Sequence, residues 1–338
     1  MATKISTSAK SYNYQNENWV PKVLITNKEI PPSGIDLLKQ KCEVIFCDSV
    51  PPTRAEILNK SAGVDAILWA SHAKLDAEAL DAAGPQLKAL STMSAGIDYV
   101  DLAEVRRRNI PIGYTPGVLN NAVANMAIGL MIAASRRFHE GRLKIEQSKW
   151  DGGPQWMLGQ DITDAVVGIV GFGQIGQTIA KRLQGFDIAG ILYTARKEKP
   201  EANKKFNAKF ASFDELIEKS DFVIICLPLT DETRGLFRTS VFKKMKSTSV
   251  LINVARGQIV NTTDLVNTLK DGDIFAAGLD VMDPEPLRHD HPLMNLPNAV
   301  IVPHLGSATI QTRSDMSLVA AHNILAGLAG ENMFSPVP

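Results

Sequence analysis

The chain has 338 residues, 45% hydrophobic and 21% charged, which suggests about two ordinary globular domains. Lysine plus arginine equals aspartate plus glutamate at 36 each, so no net field draws it to nucleic acid or an anionic membrane. Three cysteines in neither CxxC nor zinc-like spacing give no metal site and suit a reducing compartment, and no segment approaches the ~20 apolar residues of a membrane span.

Residues 1–20 are polar, without a signal or transit pattern, and read as a flexible extension of a cytosolic protein. Short β-branched runs then alternate with helical patterns. Strands are expected at 22–26, 44–46, 64–69, 88–92 and 110–113, with helices at 76–83 and 101–108 among them. The stretch 120–150 is apolar at helical spacing and too long for a loop, so one or two helices are expected there. The pattern restarts at 166–170, with further strands at 190–193, 222–226, 249–253, 275–281 and 299–302. Helices at 175–183, 213–218, 241–245 and 263–269 separate them, and a last helix at 315–328 follows. Repeated βα units imply parallel sheets with helices on both faces, and two runs of them imply two doubly wound domains.

The strongest local signal is Gly171-Phe172-Gly173-Gln174-Ile175-Gly176, between an expected strand and an expected helix. Alone, GxGxxG is weak; in this context its glycines permit a tight turn, approach of a pyrophosphate, and close helix packing. The alternative is a structural turn. The next strand end should carry an acid for the ribose hydroxyls, but the residues there are Thr194, Ala195, Arg196 and Lys197. A cation there suits the 2′-phosphate of NADPH, with NADH the weaker cofactor; the alternative is a solvated basic turn.

Ligands of open α/β sheets sit at the carboxyl ends of the strands. Arg256, Glu285 and His304 follow three consecutive strands, with Val254, Asp280 and Gly306 beside them. Singly, each has a bland reading as a turn, a rigid loop or a structural histidine. Together they suit reduction of a 2-oxo acid, in which an imidazolium protonates the carbonyl oxygen. A carboxylate beside that ring would orient it and favour its charged form. A guanidinium would hold the substrate carboxylate. In the first half, Ser94-Ala95-Gly96 precedes an expected helix and offers backbone N–H groups to an anion, or is an ordinary turn.

From about residue 23 onward these motifs resemble the D-isomer-specific 2-hydroxyacid dehydrogenase family, notably 170–176, 253–257, 278–287 and 303–309. Residues 115–119, 154–159 and 193–196 look most like its animal glyoxylate/hydroxypyruvate reductase branch. The resemblance implies a flavodoxin-like substrate domain from 21–118 and 310–338, and an inserted Rossmann-like NAD(P)-binding domain at 119–309. It implies that Arg256 binds substrate, that His304 is the acid/base and that Glu285 orients it, while the Ala95 and Gly96 amides hold the carboxylate. Cofactor contacts are implied for Gly171, Gly173, Gln174, Ile175, Gly176, Thr194, Arg196, Lys197, Pro228, Val254, Arg256, Asp280, His304 and Gly306. A homodimer is also implied, with Trp156 reaching toward the partner's substrate. One departure is Asn125, where the family usually has Glu. Two rivals are a 3-phosphoglycerate dehydrogenase, against which the missing acid and the absence of a regulatory domain count, and a dinucleotide-sensing corepressor-like protein, for which the tails leave little room.

Overall fold

Among the described residues, every ladder between two strands is parallel, as the alternation of short apolar runs with helical patterns requires. The computed structural model describes residues 5–9, 11–14 and 18–338. The chain divides into one unit of Met1–Leu119 with Ala308–Pro338, and a second of Asn120–Ser307.

The first unit holds β1 (Lys22–Ile25), α1 (Pro32–Lys39), β2 (Glu43–Phe46), α2 (Arg54–Ser61), β3 (Ala66–Trp69), α3 (Ala77–Ala83), β4 (Ala89–Thr92), α4 (Leu102–Arg107) and β5 (Ile112–Gly113). The second holds α5 (Asn120–Ser135), α6 (Phe138–Glu146), β6 (Val166–Val170), α7 (Gln174–Leu183), β7 (Gly190–Thr194), α8 (Pro200–Phe206), β8 (Ala208–Phe210), α9 (Phe213–Lys219) and β9 (Phe222–Ile225). It continues with α10 (Thr239–Phe242), β10 (Val250–Asn253), α11 (Thr262–Asp271), β11 (Ala276–Leu279) and β12 (Ala299–Ile301), and α12 (Ile310–Ala329) returns to the first unit.

In the first unit the sheet order is β2-β1-β3-β4-β5, the flavodoxin-like order. Its central strands β3 and β4 are buried at every position, because helices cover both faces. Helix α12 packs on β3, β4, β5 and α1. A β-carbon on Gly34 of α1 would lie 2.9 Å from the β-carbon of Ser317, and closer still to its carbonyl, so a side chain there would push the helices apart.

The segment expected to be a flexible extension is packed where it is described. Ala9 is buried and its N–H donates to Gln40 Oε1 at 2.9 Å. The Tyr12 hydroxyl lies 2.8 Å from His322 Nδ1, and His322 Nε2 donates to the Ser6 carbonyl at 2.7 Å. Tyr14 packs edge-on against Trp19, whose ring lies under the Lys88 ammonium. The physical reason is aromatic: these rings find apolar seats that a count of polar residues overlooks. Residues 1–4, 10 and 15–17 of that segment lie outside the described residues.

In the second unit the order is β12-β11-β10-β9-β6-β7-β8. Counted from β6 as first strand, that is the Rossmann order 3-2-1-4-5-6 with a seventh strand added beyond the sixth. The strand order reverses between β6 and β9, which places the switch point beside the glycine-rich turn. The apolar stretch 120–150 forms two helices, broken where Arg137 takes a left-handed φ of 57°. The fold is thus a Rossmann-like unit inserted between the two chain segments of a flavodoxin-like one.

Candidate active site

The glycine-rich turn has the geometry a pyrophosphate requires. Gly171 has φ of +101°, and a β-carbon on it would lie 2.8 Å from the Cys226 carbonyl oxygen. A β-carbon on Gly176 would meet Ile169 at 3.2 Å and press on the Gly171 carbonyl, so this glycine lets α7 close onto β6. Around Gly173 the same construction meets nothing within 4 Å. The first and third glycines are filled by protein and the second faces open space, which is the division of roles in a dinucleotide turn. No side chain caps α7, so its first N–H groups are left for an anion. Gln174 is exposed and Ile175 half-buried there. These residues fit a nicotinamide dinucleotide.

At the end of β7, the Thr194 carbonyl accepts the Gly171 N–H at 3.2 Å, which ties the two turns together. Beyond it Arg196 and Lys197 are exposed, and neither has a side-chain partner among the described residues. The nearest acid in sequence, Glu198, is occupied by Asn203 Nδ2 at 2.7 Å. Pro228 follows β9 on the exposed surface, and its carbonyl accepts the Thr233 hydroxyl at 2.8 Å. Cys226, expected inside a strand, lies just past the end of β9, half-buried.

The three chemistry-bearing side chains leave the same edge of this sheet, after β10, β11 and β12. After β10, Asn253 clasps the turn: its Nδ2 donates to the Arg256 carbonyl at 2.9 Å, and its Oδ1 accepts the Ala255 N–H at 3.0 Å. Arg256 is half-buried beyond Val254, which is 8% exposed. After β11, Glu285 Oε1 accepts the Met282 N–H at 2.9 Å, which leaves Oε2 3.0 Å from His304 Nδ1. His304 has a left-handed φ of 52°, uncommon for a residue with a side chain. Asp280 secures that backbone. Its carbonyl accepts the His304 N–H at 2.8 Å, and its carboxylate accepts the N–H groups of Leu305 at 2.6 Å and Gly306 at 3.0 Å. Burial raises the Asp280 carboxyl above its ordinary range, and the Leu305 and Gly306 amides act against that rise.

Ala95 and Gly96 belong to the other unit, in the bend after β4. They do not open a helix: α4 begins at Leu102, and Asp101 caps it through the Glu104 N–H. The N–H groups of Ala95 and Gly96 nonetheless have no acceptor among the described residues. Trp156 is half-buried in the irregular stretch between α6 and β6.

A family profile described as "D-isomer specific 2-hydroxyacid dehydrogenase, NAD binding domain" matches residues 128–306. Human glyoxylate reductase/hydroxypyruvate reductase is 45% identical over 316 residues, covering 92% of this chain and 96% of that protein. The chain belongs to the D-isomer-specific 2-hydroxyacid dehydrogenase family. Glyoxylate reductase of Thermofilum pendens is 42% identical over 315 residues, 92% of each chain. Among solved structures, a Thermus thermophilus protein superposes with a TM-score of 0.86 at 39% identity, covering 94% of this chain and 100% of that one. The NADPH-dependent glyoxylate/hydroxypyruvate reductase of Sinorhizobium meliloti, in complex with NADP and malonate, gives 0.81 at 29% identity, covering 94% and 97%.

As a 2-hydroxyacid dehydrogenase this chain is an NAD(P)-dependent oxidoreductase. Three residues of the dehydrogenase site escaped the sequence reading in their structural roles. Asn253 and Gly257 shape the Arg256 turn, and Asp280 ties down the His304 loop. For Asn253 and Asp280 the visible signal was a buried-strand pattern running into Asn or Asp. What those side chains bond to depends on neighbouring strands and is not periodic. Asn125, the departure from the family pattern, accepts Arg182 Nε at 2.5 Å and so joins α5 to α7.

Proposed function

We propose that this dehydrogenase reduces small 2-oxo acids, glyoxylate and hydroxypyruvate among them, to 2-hydroxy acids of D configuration where the product is chiral, and prefers NADPH. The observation that carries the reading is the 3.0 Å contact of His304 Nδ1 with Glu285 Oε2 on the sheet edge shared with Arg256 and the glycine-rich turn. It is supported by the names of the human and Thermofilum pendens relatives.

A dinucleotide held by its pyrophosphate at the glycine-rich turn would supply a hydride for the substrate carbonyl carbon. The oxygen then needs a proton. His304 Nδ1 faces Glu285, so Nε2 is the nitrogen that delivers it. The carboxylate stabilises the imidazolium before transfer and holds the Nδ1–H tautomer after it. The Met282 N–H keeps Glu285 from turning away. Arg256 pairs with the substrate carboxylate and polarises the carbonyl, which its planar fork suits. The unpartnered N–H groups of Ala95 and Gly96 form a second carboxylate-binding element. Arg196 and Lys197 would meet the 2′-phosphate of NADPH. Gly171, Gly173, Gln174, Ile175, Gly176, Thr194, Pro228, Val254, Asp280 and Gly306 line the cofactor.

The proposed assembly is a homodimer, with Trp156 directed toward the partner's substrate. Supporting it, four large hydrophobic side chains between residues 138 and 158 are exposed: Phe138 (60%), Ile145 (54%), Trp150 (71%) and Leu158 (55%). Light scattering at micromolar concentration checks the dimer, and a monomer refutes it. A panel of glyoxylate, hydroxypyruvate, pyruvate and phosphohydroxypyruvate with each reduced cofactor tests the activity. Fastest turnover of the phosphorylated substrate, or binding of cofactor without turnover, would replace this reading.

A further inference from the structure

The bend after β4 carries an arrangement of hydroxyls that its two open amides do not by themselves require. The Ser94 hydroxyl donates to the Gly96 carbonyl at 2.8 Å and lies 2.7 Å from the Tyr99 hydroxyl. With the serine proton directed to Gly96, Tyr99 is the donor of that second bond. A further oxygen, Thr92 Oγ1, is 3.3 Å from Ser94 Oγ, a longer and weaker alternative. Tyr99 is anchored in turn through its backbone, because its carbonyl accepts the Leu75 N–H at 3.0 Å.

These contacts set the direction of the open N–H groups. In a trans peptide the N–H points opposite to the carbonyl of the same unit. The Ser94 carbonyl accepts the Thr115 N–H at 2.8 Å, so the Ala95 N–H is turned away from Thr115. The Gly96 carbonyl is held by the Ser94 hydroxyl, which fixes the peptide plane on the far side. The plane carrying the Gly96 N–H lies between these two. Glycine would otherwise leave that plane free to rotate, since it has no β-carbon to restrict φ and ψ. The hydrogen-bonded hydroxyls also polarise one another, so losing Tyr99 weakens the Ser94 bond as well.

We infer that Ser94 and Tyr99 are positioning residues that aim the Ala95 and Gly96 amides at the substrate carboxylate, an inference that rests on the proposed role of those amides. The hydroxyls touch no reacting atom. Their removal acts on binding of the carboxylate and leaves the proton transfer at His304 alone.

The test compares Ser94→Ala, Ser94→Thr and Tyr99→Phe on glyoxylate and on glycolaldehyde, which keeps an aldehyde but lacks the carboxylate. Ser94→Ala should raise KM for glyoxylate by about 3- to 10-fold, the worth of one hydrogen bond. Its kcat, its KM for glycolaldehyde and its Kd for NADPH should stay within about twofold of native, a change too small to represent a lost hydrogen bond. Tyr99→Phe should move the same constant in the same direction by less, and Ser94→Thr, which keeps the hydroxyl, should restore it. An unchanged glyoxylate KM in Ser94→Ala, or a loss shared equally by glycolaldehyde, overturns the inference. A native enzyme that binds glyoxylate no better than glycolaldehyde overturns the carboxylate reading itself, and is seen without any variant.

Discussion

Gly257 packs directly on the carbonyl group of Met282, and a β-carbon on Gly257 would overlap both the carbon and the oxygen of that carbonyl. The turn that carries Arg256 and the turn that carries Glu285 are therefore in backbone contact. Gly257→Ala forces one of them to move, because neither obstacle is a flexible side chain. Overpacking of this kind destabilises by about 1–3 kcal/mol, and urea denaturation should read a loss of that size. Turnover should fall further than stability alone explains. A variant with native kcat would show that the two turns can shift without disturbing the chemistry.

His304→Ala should lower kcat by about 10²–10⁴-fold, the usual worth of a positioned proton donor. Arg256→Ala should lower kcat and also raise KM strongly, because the proposed mechanism uses that guanidinium to pair with the substrate carboxylate. Steady-state kinetics on glyoxylate separate the two patterns. Near-native turnover in either folded variant would remove the proposed mechanism.

At the end of β7 the cations Arg196 and Lys197 are exposed and unpaired among the described residues, so neither must break a bond to meet a phosphate. A charge-assisted hydrogen bond contributes roughly 1.5–3 kcal/mol. NADPH should then exceed NADH by about one to two orders of magnitude in kcat/KM. Arg196→Ala should erase most of that preference while leaving NADH kinetics nearly unchanged. Equal use of both cofactors by the native enzyme would show that the strand end lacks an acid without using its cations.

Asp280 gives a pH dependence whose sign can be worked out. Burial raises its folded pKa above the unfolded value, so the native state binds the proton more tightly than the unfolded chain does. Its contribution to stability is therefore most favourable below the ordinary carboxylate range, and declines as pH rises from that range through the raised folded value. Asp280→Asn lacks the titration. Urea denaturation from pH 4 to pH 7 should show the native protein losing ground to Asp280→Asn as pH increases. The opposite trend would mean that the Leu305 and Gly306 amides outweigh burial.

The Tyr12 hydroxyl and the Ser6 carbonyl occupy both nitrogens of His322, which is 5% exposed. Truncation of residues 1–14 leaves those nitrogens without their protein partners. A loss of about 1–3 kcal/mol in unfolding free energy is expected, the range for a buried group left unsatisfied. Since the bonds lie on α12, in the unit that does not carry His304, kcat should stay near native. Unchanged stability would show that water replaces both partners without penalty.

The amino-acid sequence alone determined the class of fold. Apolar runs such as 66–69 and 222–225 separated by helical patterns have one common solution, a parallel sheet with both faces covered. The glycine-rich turn was legible for the same local reason, since a strand, three glycines and a helix follow one another directly. Elements that carry little periodic signal were not legible. Strand β8 is three residues long with Lys209 at its centre, and the eight-residue helices α1 and α2 lie in sequence too short or too polar to stand out.

Only the tertiary structure decided how the side chains of the site are held. Asp280 reaches Leu305 and Gly306 because β11 and β12 are neighbours, a fact of sheet order that no window of sequence contains. The open amides of Ala95 and Gly96 depend on Thr115 arriving from β5 and on which way a serine hydroxyl turns. Hydrophobic periodicity records which face of an element is buried. It does not record which polar atom meets which, because those pairings join residues far apart in sequence that only packing brings together.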